Sequence, residues 1–162
     1  MKAEKNVRFE LLYNGTEYGC SAITFHKKCD GQGPTVTFAR SADHGRVFGG
    51  YTSRSWNSSS QGDYQKDSQA FIFSLTNQTY HPIKESHLDN AVWHHSNFLV
   101  YFGQYDFFVV DNCFQKVISD MSLGHSYQLG NVTGNWAGLN RTHLTGARDF
   151  SFSEVEVYKV IF

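Results

Sequence analysis

His26 and Cys29 are the residues whose types and spacing come closest to a reactive pair. Both lie in Ser21–Cys29, the segment with the clearest start and stop signals for a short helix. Residues three positions apart share one helix face, so an imidazolium at His26 would lie beside the thiol and lower its pKa. The pair predicts thiol chemistry with peroxide. The competing and more common outcome is a buried, inert helical cysteine.

Other catalytic and cofactor motifs are incomplete in this chain. GHSYQ at residues 124–128 begins like a nucleophile elbow, but Gln128 stands where that turn needs a second glycine. GQG at residues 31–33 lacks the third glycine of a dinucleotide-binding loop, and no phosphate-binding GxxxxGK sequence occurs. We therefore expect neither catalysis at Ser126 nor a bound cofactor, and a protein that is not an enzyme.

Potential metal ligands and cysteines are scattered. His94 and His95 are adjacent, and on a strand their rings would point to opposite faces, so they could not chelate one metal together. Cys20, Cys29 and Cys113 form no CxxC pair. We expect no metal site. Since the cysteine count is odd, at least one thiol cannot pair within the chain, and we expect reduced thiols in a cytoplasmic protein.

Composition limits the class of protein. The 162 residues suit one domain, 1–162, and 40% hydrophobic with 16% aromatic residues is typical of a packed core. Lys and Arg number 14 against 15 Asp and Glu, without a basic cluster, which argues against nucleic-acid binding. No apolar stretch approaches the roughly 20 residues that cross a bilayer, so we expect no transmembrane segment.

Apart from the helix at Ser21–Cys29, most regular segments read as strands. Runs rich in Phe, Tyr and Val are separated by Gly, Asp, Asn and Ser clusters, a pattern typical of an antiparallel meander. We expect exposed loops at Ser58–Asp67 and around His81-Pro82. The pattern predicts an α+β, β-rich fold: a two-layer antiparallel β-sandwich with a few short peripheral helices. The predicted strands are Val7–Tyr13, Thr35–Ala39, Arg46–Tyr51, Ala70–Leu75, Ala91–His95, Phe98–Phe102, Phe107–Val110 and Glu154–Ile161.

Several segments carry a family resemblance. FHKKCDGQGPTVTF at residues 25–38 is followed by RVFGGYTSRSW at 46–56 and QAFIFSL at 69–75. LGHSYQL at 123–129 and LTGARDFSFSEVEVYKV at 144–160 close the series. Together they resemble the TLDc domain over nearly the whole chain, in the right order. The motif positions to which we assign structural roles are Asp30, Gly31, Gly33, Pro34, Gly49, Gly50 and Trp56.

These motif residues also have physical explanations. The pair at residues 30–31 can end the helix, and the pair at 33–34 can turn the chain into a strand. Two glycines at 49–50 inside a strand permit a bulge or a close backbone approach. The motif therefore identifies an architecture, and the resemblance implies a sandwich of antiparallel sheets.

The resemblance also implies a function. TLDc proteins are associated with protection against oxidative stress, and several bind the vacuolar-type proton ATPase. The resemblance therefore implies a non-catalytic interaction domain with a protein partner in a large complex. The alternatives are a structural accessory subunit of a cytoskeletal or other multi-subunit complex, and a small antioxidant enzyme using Cys29. For any of them we expect a cytoplasmic location, attached to a cytoskeletal or membrane-bound complex.

Candidate interface residues fall in two places. Glu154 and Glu156 lie two apart on the last predicted strand, so they should share one exposed face. That face is either a solvated sheet edge or an acidic strip that meets a basic patch on a partner. Residues 103–106 depart from the glycine-rich run common in relatives, which singles out Gln104 and Tyr105. We expect function to reside in loops such as 58–67, 81–90 and 103–106.

Overall fold

Ten strands and a few short helices form the part of the chain that the computed structural model describes, residues 6–130 and 139–162. The helices are α1 (Gly15–Tyr18), α2 (Ala22–Cys29) and α3 (Leu139–Thr142), with 3₁₀ turns at Glu85–Asn90 and Cys113–Gln115. The strands are β1 (Arg8–Asn14), β2 (Thr35–Ser41), β3 (Val47–Thr52), β4 (Asp63–Gln65), β5 (Phe71–Ser74), β6 (Thr79–Pro82), β7 (Val92–His94), β8 (Phe98–Phe102), β9 (Phe107–Val110) and β10 (Phe152–Ile161).

The strands form two antiparallel sheets that pack face to face. The larger sheet has the order β1-β10-β2-β3-β5-β6, and the smaller sheet has the order β4-β7-β8-β9. The predicted fold class, a β-rich two-layer sandwich with short peripheral helices, is confirmed. The last strand, β10, lies inside the larger sheet next to its edge strand, because it pairs with β1 on one side and β2 on the other.

Aromatic rings from both sheets fill the space between the layers. Phe48 on β3 lies 5.4 Å, ring centre to ring centre, from Phe107 on β9. Trp56 lies 5.7 Å from Phe102 on β8. Edge-to-face pairs of this kind add to the stabilisation that burial provides, since the positive ring edge meets the negative face. The two sheets therefore depend on each other for their core.

Each predicted strand is present, but two further strands were missed. β4 lies inside the predicted loop 58–67, where Tyr64 pairs with Trp93 of β7. β6 includes His81, predicted to be in a loop, whose side chain is fully buried. Both strands lie at the outer side of a sheet, where Pro82 needs no ladder partner for its nitrogen. Long-range pairing, which local polarity does not report, makes these segments strands.

Buried polar groups hold β6 in place. Nδ1 of His81 donates to the carbonyl oxygen of Gln128 at 2.9 Å, and its Nε2 accepts from the Thr79 hydroxyl at 2.9 Å. The same hydroxyl oxygen lies 2.8 Å from Nε2 of His143. Burial lowers the pKa of His81 to about 4, so the ring is neutral in the folded protein at neutral pH.

The predicted loop 58–67 also ends on a buried carboxylate. Asp67 is 3% exposed and accepts hydrogen bonds from the Thr52 hydroxyl at 2.7 Å and from the backbone and hydroxyl of Ser53 at 2.7 and 2.8 Å. The Gln69 amide donates to it at 2.9 Å. Four donors replace the water that the carboxylate loses on burial. Asp67 therefore joins β3 to the start of β5 and is not a loop-tip residue.

Two of the three cysteines are joined, which corrects the expectation of reduced thiols. Cys20 and Cys113 form a disulfide bond with their Cα atoms 5.6 Å apart, and Cys29 is free and buried. A hydrogen bond also joins the two segments, since the Asn112 amide donates to the Cys20 carbonyl oxygen at 2.9 Å. A spacing of 93 residues gave no local signal for this pairing.

Candidate interaction sites

The helix that carries His26 and Cys29 forms as predicted. Ser21 is its N-cap, accepting from the Thr24 amide at 3.4 Å, and Asp30 leaves the helix in an extended conformation. Nδ1 of His26 lies 2.7 Å from a carboxylate oxygen of Asp30, and Nε2 lies 2.9 Å from the Phe98 carbonyl oxygen. The imidazole thus connects the helix end to β8.

The thiol of Cys29 is not activated by this arrangement. Its side chain is fully buried, and burial, with a smaller contribution from the neighbouring carboxylate of Asp30, raises the pKa of the Cys29 thiol to about 12. The expected lowering by His26 is wrong, because both imidazole nitrogens face oxygen atoms and burial disfavours the thiolate.

Other family-motif residues form a hydrogen-bonded network at the start of β2, which joins residues 31–35 to Ser55 and Trp56 and which we call the clasp. The Gly31 amide donates to the Trp56 carbonyl at 3.1 Å, and the Gly33 amide donates to the Ser55 hydroxyl at 2.8 Å. Both glycines have a positive φ, 72° and 82°, a conformation that side chains disfavour. Trp56 is buried and donates through Nε1 to the Thr35 hydroxyl at 2.9 Å. Pro34 accepts from the Val160 amide at 2.9 Å.

Gly49 and Gly50 sit where β3 approaches its neighbours most closely. A methyl group on Gly49 would overlap the carbonyl oxygen of Thr37 and lie 2.7 Å from the ring of Phe73. A methyl group on Gly50 would lie 2.8 Å from the ring of Phe102 in the opposite sheet. The structure therefore shows a close approach on both faces of β3, and it leaves no room for side chains there.

A polar cavity of about 730 Å³ adjoins the clasp. Asp30, Asp63 and His94 contribute to its walls, and His94 packs its ring 5.4 Å from that of Trp56. Among the described residues, no group of three or more His, Cys, Asp or Glu side chains is arranged to hold a metal ion. The rings of His94 and His95 have different neighbours, since His94 lies beside Trp56 and His95 stacks on Trp93 with ring centres 4.7 Å apart.

The acidic residues of the last strand are not at a sheet edge, which corrects that expectation. β10 lies between β1 and β2, and Glu154 lies 3.3 Å from a guanidinium nitrogen of Arg40 on β2. Glu156 accepts a hydrogen bond from the Tyr158 hydroxyl at 2.8 Å. Both carboxylates therefore have partners on the outer face of the larger sheet, next to apolar rings.

Those rings form what we call the aromatic face, which covers the outer side of the larger sheet. Its rings follow one another across the strands, with centres 5.9 Å apart for Tyr158 and Phe38, 5.4 Å for Phe38 and Phe73, and 5.0 Å for Phe71 and Tyr80. A groove of about 530 Å³ runs along them. The aromatic face comprises Phe9, Phe38, Tyr51, Phe71, Phe73, Tyr80 and Tyr158.

Gln104 and Tyr105 line a second feature, which we call the aromatic pocket, on the smaller sheet. Its volume is about 570 Å³. Tyr105 is 56% exposed and has a φ of 75°, a left-handed conformation that is rare outside glycine. The pocket is lined by Tyr64, Trp93, Phe98, Tyr101, Gln104, Tyr105 and His125.

The loop that carries Tyr105 is held by a buried carboxylate. Asp106 is fully buried and accepts from the amides of Gly124, Ser126 and Tyr127 at 2.9, 2.9 and 3.1 Å. Burial raises the pKa of Asp106, although these amides act in the opposite direction. Ser126, the serine of the incomplete elbow, is fully buried, and its hydroxyl accepts from the Gln104 amide at 3.0 Å. Its environment is that of a structural serine.

The sequence singled out Gln104 and Tyr105 but gave no sign of two of their partners, Tyr64 and His125. Tyr64 comes from β4, which was predicted to be a loop, and His125 comes from a segment interpreted as an incomplete elbow and as part of the family resemblance. The available signal was the abundance of aromatic residues, which does not show which rings meet.

Comparison with known proteins gives the family. A model of the TLDc domain matches residues 1–161. The chain belongs to the TLDc family. Within the described residues of this TLDc domain, no helix is both long and apolar enough to cross a membrane.

Three curated relatives share the name MTOR-associated protein MEAK7. The mouse (Mus musculus) protein is 28% identical over 96% of this chain and 33% of its own length. The Xenopus laevis protein is 29% identical over 94% of this chain and 32% of its own length, and the Gallus gallus protein is 28% identical over 99% and 33%. This TLDc domain therefore spans about a third of the length of the curated relatives it matches.

Proposed function

We propose that this TLDc domain is a non-catalytic protein–protein interaction domain that docks on a large assembly through the aromatic face. The observation that carries the proposal is the exposure of apolar rings at both ends of the groove, where Phe9 is 61% and Tyr80 is 58% exposed. Contiguous apolar patches are rare on the free surfaces of monomeric proteins, since water disfavours them, and they mark sites of association.

The composition of the aromatic face supports a protein partner. Aromatic side chains supply most of the binding energy in many interfaces, because they bury large areas with few rotatable bonds. The central rings, such as Phe38 and Phe73, are already packed against one another, so little ordering is required on binding. A rigid apolar centre with Arg40 and Glu154 nearby on the same sheet resembles the core and polar rim of a specific interface.

The free edge of the larger sheet offers a second mode of contact beside the first. β1 pairs only with β10 among the described strands, so its outer side presents unpaired backbone groups. Phe9 and Leu11, which is 48% exposed, lie on this strand. A strand from a partner could extend the sheet there while its side chains contact the aromatic face.

The partner that we propose is the vacuolar-type proton ATPase, with a role in protection against oxidative stress, as the family resemblance implies. The relatives' name, MTOR-associated, supports membership of a multi-protein assembly. The proposal places the chain in the cytoplasm, attached to that membrane-bound complex, where the bond between Cys20 and Cys113 would be one of the few disulfides found in that compartment. A permanent accessory subunit of a cytoskeletal complex is the alternative that the experiment below separates from it.

Affinity purification of the tagged chain from its native cells at moderate salt tests the proposal. The wild type should recover proton-ATPase subunits, and Phe9→Asp or Tyr80→Asp should lose them, because a charge would be buried in the apolar contact. Ile23→Asp is the matched control, since Ile23 is 69% exposed on α2 and lies outside the aromatic face. Recovery of filament proteins alone would favour the cytoskeletal alternative, and equal recovery by all variants would rule out this face.

The thiol enzyme has a separate test. The raised pKa and complete burial of Cys29 favour an inert thiol. Peroxide consumption by the purified domain should be the same for the wild type and Cys29→Ser. A loss of consumption in the variant, with an unchanged circular dichroism spectrum, would support catalysis instead.

A further inference from the structure

The geometry points to a ligand site in the aromatic pocket, and we propose that it binds a methylated ammonium group, such as that of choline or trimethyllysine. The site is separate from the aromatic face, because its rings come from the smaller sheet and from the loop at residues 103–106. The proposal goes beyond the docking function and does not depend on it.

The rings are arranged as adjoining walls. Tyr64 and Trp93 have centres 6.2 Å apart, Trp93 and Tyr101 are 5.1 Å apart, and Tyr101 and Tyr105 are 6.3 Å apart. Their planes are inclined to one another by 37°, 78° and 64°, so the rings turn around a space and do not form one flat stack. The volume of about 570 Å³ is within the range of small-molecule sites.

The charge distribution favours a cation. No Lys, Arg, Asp or Glu side chain is among the residues that line the pocket. Burial raises the pKa of Tyr64 and, more strongly, of Tyr101, and both are raised further by neighbouring tyrosine hydroxyls and by the Asp106 carboxylate. Burial therefore keeps these hydroxyls neutral, and the attraction for a cation comes from the electronegative faces of the aromatic rings.

The absence of a carboxylate from these walls selects a methylated cation over a bare ammonium. A lysine ammonium keeps three strong donors that need acceptors once water is removed. The pocket offers mainly ring faces, together with the Gln104 side chain. Methyl groups replace those donors with apolar surface while the charge remains, so the ring faces suffice.

Tyr105 is held in an uncommon backbone conformation that keeps its ring at the pocket wall. Its carbonyl oxygen accepts from the Ser122 amide at 2.7 Å, and the residues on either side are fixed by Ser126 and by the amides that bind Asp106. Left-handed backbone at a non-glycine residue costs free energy and persists when the surroundings enforce it, which is common at ligand sites. The wall is therefore pre-formed before a ligand arrives.

Titration of the purified chain with choline chloride, followed by tryptophan fluorescence and calorimetry, tests the proposal. Choline should bind saturably, and 3,3-dimethylbutanol, which has the same shape without the charge, should bind at least tenfold more weakly. A trimethyllysine peptide should likewise bind at least tenfold more tightly than the same peptide with lysine. Tighter binding by the peptide than by choline would assign the ligand to a protein, and the reverse order to a small molecule.

Variants locate the binding. Tyr105→Asn keeps a residue that tolerates left-handed backbone, and Tyr64→Leu keeps apolar bulk; each should weaken choline binding at least tenfold. Tyr80→Leu on the aromatic face is the matched control and should leave it unchanged. Equal binding of dimethylbutanol and choline to the wild type would overturn the proposal without any variant. Unsaturable binding of both charged probes, or an equal loss in Tyr80→Leu, would also overturn it.

Discussion

Removing the disulfide bond should produce a large and calculable loss of stability. We expect Cys20→Ala/Cys113→Ala to lower the free energy of unfolding. The bond spans 93 residues, and in the chain-entropy model a loop of about this length contributes about 4–5 kcal/mol by restricting the unfolded chain. The hydrogen bonds from Asn112 to Cys20 and from Ala22 to Asp111, at 2.9 and 2.8 Å, join the same segments. The folded geometry should therefore survive, and the loss should arise in the unfolded state.

Urea unfolding followed by fluorescence measures this loss. With a slope of roughly 2 kcal/mol per molar urea, the midpoint should fall by about 2 M. Reductant should shift the wild type by the same amount and leave the double variant unchanged, whereas Cys29→Ala should keep the response to reductant because the bond remains. The reasoning is refuted if reductant, once the bond is shown to be open, leaves the wild-type midpoint in place.

Four further substitutions test the buried polar groups and the close approach in β3. Burial lowers the pKa of His81 to about 4, so at this site only the unfolded chain takes up a proton as the pH falls from about 6.5 to 4. This uptake lowers the free energy of unfolding by about 3 kcal/mol over that range. His81→Gln should flatten that part of the stability profile, and parallel profiles would contradict this. Gly49→Ala should destabilise by about 3 kcal/mol in urea unfolding, because the methyl group overlaps the Thr37 carbonyl. Gly31→Ala, at a position with open space and positive φ, should cost only about 1–2 kcal/mol, and equal losses would argue against the overlap. Asp67→Asn should cost about 2–3 kcal/mol by the same assay, because an amide group would face hydrogen-bond donors, and an unchanged midpoint would exclude this role.

Local patterns were sufficient for most of the architecture. The helix at Ala22–Cys29 follows from a capping serine and a stop signal within ten residues of each other. Strands such as Phe98–Phe102 follow from their own apolar residues, since a buried strand must be apolar wherever it pairs. These signals reside in the segment itself, so the sequence alone was enough to find them.

The errors concern relations between distant segments. β4 is polar and became a strand through pairing with β7, and the acidic pair Glu154 and Glu156 moved from an expected edge to the sheet interior because β10 lies between β1 and β2. The disulfide bond joins Cys20 to Cys113 across 93 residues. Pairing partners and strand order are set by the packing of the whole chain, which no local pattern specifies.

The thiol and the tyrosines show the same division between sequence and structure. The sequence determined that Cys29 and His26 share a helix face, and that aromatic residues are abundant. Only the tertiary structure decided that the Cys29 thiol is buried with a raised pKa, and that Tyr64 and Tyr105 line one pocket on the smaller sheet. The physical reason is that reactivity and binding depend on burial, charge and ring orientation, and these arise only when the two sheets pack together.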